Sequence, residues 1–133
     1  MQTVWDPLRK KEVALTPEEK VRQSFIVYLR DSLGVPTSLM NSEVFLKYGQ
    51  KPFRADILVF DRKGEPLLLV ECKRPDVLID EQVLRQALNY HAVLNISFLV
   101  LTNGKTTYLY GRNKGGEFES LSSFPKYEEM LCR

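Results

Sequence analysis

Two apolar runs, Ile57-Leu58-Val59-Phe60 and Pro66-Leu67-Leu68-Leu69-Val70, flank the short segment Asp61-Arg62-Lys63-Gly64-Glu65. Each run is too short for a buried helix, and the glycine-bearing segment between them suits only a tight turn. The two stretches, Phe53 to Phe60 and Pro66 to Lys73, must therefore fold back on each other as an antiparallel hairpin. The second strand then runs without a turn residue into Glu71-Cys72-Lys73, so charge enters an extended, otherwise apolar segment.

Side chains alternate faces along a strand, which puts Asp56, Leu58 and Phe60 on one face and Leu67, Leu69, Glu71 and Lys73 on one face. A two-residue Lys63-Gly64 turn pairs Arg62 with Glu65, Asp56 with Glu71 and Arg54 with Lys73. A three-residue turn with Gly64 in a bulge slips this register by one and leaves Asp56 diagonal to Glu71. Two facing carboxylates repel by up to about 1 kcal/mol, and by more as water is excluded. A divalent cation offsets that repulsion, and hard oxygen ligands suit Mg²⁺ or Mn²⁺. The alternative is an ion-pair cluster in which Lys73 and Arg54 neutralise both acids without metal. A metal held by two acids beside a lysine suits phosphodiester hydrolysis. The ion acidifies water and screens charge on phosphorus, and the amine orients the attacking water.

The rest of the chain reads as helices and strands around this hairpin. Thr16 at an N-cap, Pro17 at the first helical position and Glu19 in a capping box open a helix, and Val21, Phe25, Tyr28, Leu29 and Leu33 give it one apolar face. Gly34 and Pro36 stop it. Asn41 to Gly49 reads as a strand. After Pro75, Asp80 caps a second helix carrying Val83, Leu84, Ala87, Leu88 and Leu94, and two more strands follow, joined at Asn103-Gly104. The tail is loop with a short terminal helix. The order αβββαβ, with a βαβ unit whose outer strands lie parallel, predicts a mixed α/β class: a central mixed sheet flanked by helices.

This order, and an aspartate separated by fourteen residues from Glu71-Cys72-Lys73, resembles the restriction-endonuclease-like PD-(D/E)xK nuclease superfamily. The segments WDPLRKKEVALTPEEKVRQ, RADILVF, LLLVECKRP, QALNY and LVLTNG, in this order over residues 5–104, are similar to the N-terminal nuclease domain of type I restriction enzyme R proteins. The resemblance implies a restriction-endonuclease-like fold and a Mg²⁺- or Mn²⁺-dependent endonuclease acting on DNA. It implies metal ligation by Asp56, Glu71 and the backbone carbonyl of Cys72, with Lys73 as the catalytic lysine. It also assigns Gln86 and Tyr90, a QxxxY pair on one helical face, to the active site, and an acid of the first helix, Glu19 with Glu18 as runner-up, to the metal. Ala55 replaces the motif's proline, leaving the carboxylate in place. No GxxxxGK[ST] loop occurs in the chain, so it carries no ATP-driven motor. A homodimer, or association with other restriction subunits, is left open. A second reading keeps the fold as a non-catalytic nucleic-acid-binding or assembly module.

Composition narrows these readings. With 133 residues, 44% of them hydrophobic, the chain is expected to form one domain over 1–133. Its formal charge of +2 announces no polyanionic partner by itself, which leaves Lys51, Arg54 and Arg74 as the phosphate contacts nearest the site. Two cysteines and one histidine make neither a disulfide framework nor a zinc set, so a reducing cytoplasm is expected. His91 reads as a satisfied histidine without a partner cluster, and Cys72 as buried core facing away from Glu71. The chain shows no signal segment and no run long enough to span a membrane.

Overall fold

The computed structural model describes residues 1–133. Strands β1 (Thr3–Asp6) and β2 (Lys11–Ala14) form a hairpin ahead of α1 (Pro17–Asp31). Next come β3 (Met40–Tyr48), β4 (Lys51–Phe60), β5 (Pro66–Cys72), α2 (Glu81–His91), β6 (Phe98–Thr102), β7 (Thr107–Arg112), β8 (Phe118–Ser120) and α3 (Tyr127–Leu131). The main sheet has the order β3-β4-β5-β6-β7-β8. Only β5 and β6 run parallel, as a βαβ crossover requires. The expected αβββαβ order and mixed sheet are present.

Thr16 caps α1 by accepting the Glu19 backbone N–H at 3.1 Å, and Asp80 caps α2 through the Val83 N–H at 2.9 Å. The α1 stripe Val21, Phe25, Ile26 and Leu29, continued by Leu33 just past the helix end, packs with Ile57, Val59, Val70, Phe98 and Val100 on one sheet face, joined there by Tyr127 and Met130 of α3. Leu58, Leu69 and Leu99 face the other way, against Leu88, Leu94 and Ile96, while Ala87 of α2 packs on Leu101. Both faces are covered, which explains near-continuous apolar strands. No helix is long and apolar enough to cross a membrane.

Four features depart from the sequence reading. The β1–β2 hairpin was not foreseen; its turn is built by Asp6, whose Oδ1 accepts the N–H groups of Leu8 and Arg9. β8 lies in a stretch read as loop and pairs with β7. The β6–β7 turn centres on Gly104-Lys105 rather than Asn103-Gly104: Asn103 N–H donates to Thr106 O at 3.2 Å, and Gly104 takes the positive φ of 86°. α2 ends at His91, so Leu94 reaches the core from the following loop.

The β4–β5 hairpin combines the two registers that the sequence left open. Asp61 pairs with Glu65 through an N–H···O bond of 2.8 Å, so the turn has three residues, with Gly64 at φ 85°. Phe60 accordingly opposes Pro66, but Val59 opposes Leu68, so a bulge absorbs Leu67. Leu67 thereby joins the α1-side core instead of the face of Leu69. Beyond the bulge, Leu58 opposes Leu69 and Ile57 opposes Val70, the register of the two-residue turn.

Candidate active site

The β4–β5 ladder ends at Ile57 and Val70, so Asp56 and Glu71 stand at its open end. Here β4 changes faces: Phe53 and Ala55 pack on the same side as Leu58, whereas Ile57 packs on the other. On β3 the opposing residue, Glu43, interrupts the β3–β4 ladder and has a φ of 52°. This irregularity overturns the expectation that Asp56 and Glu71 meet as a same-face cross-strand pair. The Asp56 carboxylate is held from the α1 side and the Glu71 carboxylate from the α2 side. Both open into one cleft of about 310 Å³, lined by Glu18, Arg54, Asp56, Glu71, Cys72, Lys73 and Tyr90.

Asp56 is buried. Its Oδ2 accepts the Cys72 backbone N–H at 2.7 Å, which ties the carboxylate to the end of β5. Its Oδ1 accepts Arg22 at 3.0 Å and Arg54 at 3.1 Å. Arg22 is itself buried on α1 and reaches Glu19 at 2.8 Å and Glu43 at 3.2 Å. Arg9, from the β1–β2 turn, binds Asp6, and also Glu19 at 2.7 Å. A chain of alternating charges thus connects the N-terminal hairpin to Asp56.

Glu71 is gripped at both oxygens. Lys73 Nζ lies 2.9 Å from Oε2, and His91 Nε2 lies 3.1 Å from Oε1. Burial alone would raise the carboxyl pKa, but the hydrogen bonds from His91 and Lys73 outweigh it and hold the value at about 2, against an ordinary 4.5. Burial pushes the Cys72 thiol up, with the Asp56 charge adding to the effect; its side chain sits in the α1-side core, as expected.

The structure brings Asp56, Glu71, Cys72, Lys73 and Tyr90 together. Tyr90 donates its hydroxyl to Pro52 O at 3.1 Å, fastening α2 to β4, and its ring carries Lys51 Nζ at 4.9 Å. Gln86 is exposed on α2 and does not line the cleft. The α1 acid in the cleft is Glu18. Glu19 turns instead to Arg9 and Arg22, with Gln23 on its other oxygen at 3.0 Å. Arg54 lines the cleft, whereas Arg74 pairs with Asp76 at 2.5 Å on the surface.

His91, read from the sequence as a satisfied core or surface histidine outside any cluster, is fully buried, and it belongs to the site through Glu71. Neither Arg22 nor Glu43 was anticipated. Arg22 could have been flagged as a charged residue inside an apolar helical stripe, and His91 likewise continues the stripe of Leu84, Ala87 and Leu88. Glu43 gives no such signal.

As a site for a divalent cation, the donor set fits the oxygen-ligand chemistry of Mg²⁺ and Mn²⁺. The carboxylates of Asp56, Glu71 and Glu18 line the cleft, and each Glu71 oxygen, with one partner, keeps a lone-pair direction open. No group of three or more His, Cys, Asp or Glu side chains is spaced to hold a metal, so water or substrate would complete the shell, as is usual for Mg²⁺.

The chain shares its sequence family and its fold with known proteins. Residues 17–125 match the family described as type I restriction enzyme R protein N terminus (HSDR_N). Among solved structures, one similar chain is described as a fragment of a "putative HsdR subunit of a type I restriction enzyme" from Vibrio vulnificus YJ016. It has a TM-score of 0.61 at 22% identity, over 88% of this chain and 25% of that one. Another is described as a "putative nuclease belonging to DUF820" from Anabaena variabilis ATCC 29413, with a TM-score of 0.54 at 15% identity, over 98% of this chain and 84% of that one. These two likenesses establish the fold alone. No curated protein matches. This chain spans a quarter of the Vibrio fragment's length. With its αβββαβ core and the matched 17–125 segment, the chain belongs to the type I restriction enzyme R protein N-terminal family.

Proposed function

We propose that this protein is a nuclease that hydrolyses DNA phosphodiester bonds with Mg²⁺ or Mn²⁺. The observation that carries the reading is the convergence of Asp56, Glu71 and Lys73 on one cleft, in a chain of a restriction-enzyme family. Asp56 and Glu71 would hold the ion, with the Cys72 carbonyl as a third oxygen. A divalent ion supplies Lewis acidity toward the phosphoryl oxygens. Lys73, about one-third exposed and 2.9 Å from Glu71, reaches the cleft with an amine that can orient a water and stabilise charge developing on the phosphate. Arg54, on the cleft wall, and Lys51, beside it on β4, present cations to the nucleic-acid backbone. The protein would act in the cytoplasm, alone or with other restriction subunits.

Plasmid DNA incubated with the protein and Mg²⁺ or Mn²⁺ should be cut, with an RNA of matched length run in parallel. Lys73→Ala should lower the rate by two or more orders of magnitude while leaving the circular dichroism spectrum unchanged. Full activity in a folded Lys73→Ala protein would defeat the assignment.

The engagement of Asp56 by Arg22 and Arg54, and of Glu71 by Lys73 and His91, favours a second reading. Arg22 and Arg54 neutralise Asp56, and Lys73 neutralises Glu71, without metal, as a non-catalytic binding or assembly module would require. Salt-dependent DNA binding with no cleavage on any substrate or metal would select it.

A further inference from the structure

His91 is the last residue of α2 and its side chain is wholly buried. Phe53 and Tyr90 wall the ring, with centroids 6.2 and 4.9 Å away. Nε2 meets Glu71 Oε1 at 3.1 Å, while Nδ1 has no hydrogen-bond partner. A histidine that served only packing would be replaceable by an apolar ring, without the cost of an unsatisfied buried nitrogen. The polar atom that is satisfied is the one aimed at Glu71.

An ionised carboxylate only accepts hydrogen bonds, so the Nε2 facing Glu71 must carry a proton. With Lys73 on Oε2 at 2.9 Å, the Glu71 carboxylate is pinned at both oxygens, from the strand end and from α2. Lys73 is partly exposed and on a flexible stem, whereas the His91 ring is enclosed. The rigid half of the grip is therefore His91. Tyr90 supports it, because its hydroxyl on Pro52 O fixes the last turn of α2 against β4.

We propose that His91 is a positioning residue for Glu71: the buried Nε2–H sets the carboxylate plane so that the remaining lone pair faces the cleft toward a divalent cation. This rests on the metal-binding reading of the cleft. Outer partners of ligating groups of this kind tune metal affinity by about tenfold to a hundredfold. It also gives Tyr90 a mechanical task, holding the helix end that carries His91.

The test measures Mn²⁺ affinity by electron paramagnetic resonance, independently of turnover, in wild type, His91→Phe, His91→Gln, Glu71→Gln and the double variant His91→Phe/Glu71→Gln. His91→Phe fills the ring volume without a donor and should weaken Mn²⁺ binding by about tenfold or more. His91→Gln, whose amide nitrogen can reach a place near that of Nε2, should recover most of the loss, and His91→Phe should add nothing in the Glu71→Gln background. Unchanged affinity in folded His91→Phe, or an equal loss in the Glu71→Gln background, overturns the proposal. Should His91→Phe not fold, nitrogen-15 NMR of the wild-type imidazole decides: a proton on Nε2, with or without one on Nδ1, supports it, and a proton on Nδ1 alone overturns it. If Glu71→Gln and Asp56→Asn both leave Mn²⁺ affinity unchanged, the metal-binding reading itself fails. If they weaken binding and His91→Phe does not, only the role of His91 fails.

Discussion

Arg22 stands with 3% of its side chain exposed between Glu19 and Asp56, and its Nε has no partner. Removing it leaves two mostly buried carboxylates without their shared cation, so Arg22→Met should destabilise the protein by about 3–5 kcal/mol. Urea denaturation at neutral pH measures this; a loss below about 1 kcal/mol would mean that Arg9 and Arg54 neutralise these acids unaided. Glu71 predicts a pH dependence. Its folded pKa of about 2 lies below the ordinary 4.5, so its stabilising contribution is fully present above about pH 4.5 and is lost as pH falls toward 2. The contribution is about 3 kcal/mol. Denaturation of wild type and Glu71→Gln should therefore show a stability gap that narrows between pH 5 and pH 2.5. A gap that is constant over this range would contradict the Lys73 ion pair and the His91 hydrogen bond assigned to Glu71.

Among the elements, the β4–β5 hairpin shows what the chain's local chemistry specified and what it did not. Gly64 signalled a turn, and its φ of 85° makes Gly64→Ala costly by about 1–2 kcal/mol, readable as a lower thermal midpoint. No change in the midpoint would show that the turn relaxes. Turn length and site register could not both be read from the sequence, because the Leu67 bulge that reconciles them carries no residue signature; Leu-Leu-Leu offers three equivalent choices for the extra residue. α1 and α2 were legible from caps and apolar spacing, since those rules act within one turn. The β1–β2 hairpin was not, because its turn depends on the Asp6 side chain closing on Leu8 and Arg9, and its strands have four residues each. That Asp56, Glu71 and Lys73 gather in one cleft was legible from their pattern. The choice of Glu18 over Glu19, and the partners Arg22 and His91, depend on how the helices dock, which periodicity does not fix.

Across the whole molecule, two helix-covered sheet faces leave the open end of the β4–β5 ladder free to form a polar cleft, and the long β3–β4 pairing extends beyond it from Val44 to Ala55. Lys51 and Arg54 lie on this overhang, beside and within the cleft. If the overhang tracks a duplex, Arg54→Gln should reduce the slope of log affinity for DNA against log salt by about 0.9, the value for one phosphate contact. A slope equal to that of wild type would remove Arg54 from the interface. The claim on which the rest depends is that Asp56 and Glu71, gripped from opposite sides of the sheet, hold one divalent ion between them. Anomalous diffraction from a crystal soaked in Mn²⁺ tests it most directly. A single peak within bonding distance of both carboxylates is the predicted result; a cleft without a peak, with Arg54 and Lys73 still seated on the acids, would contradict it.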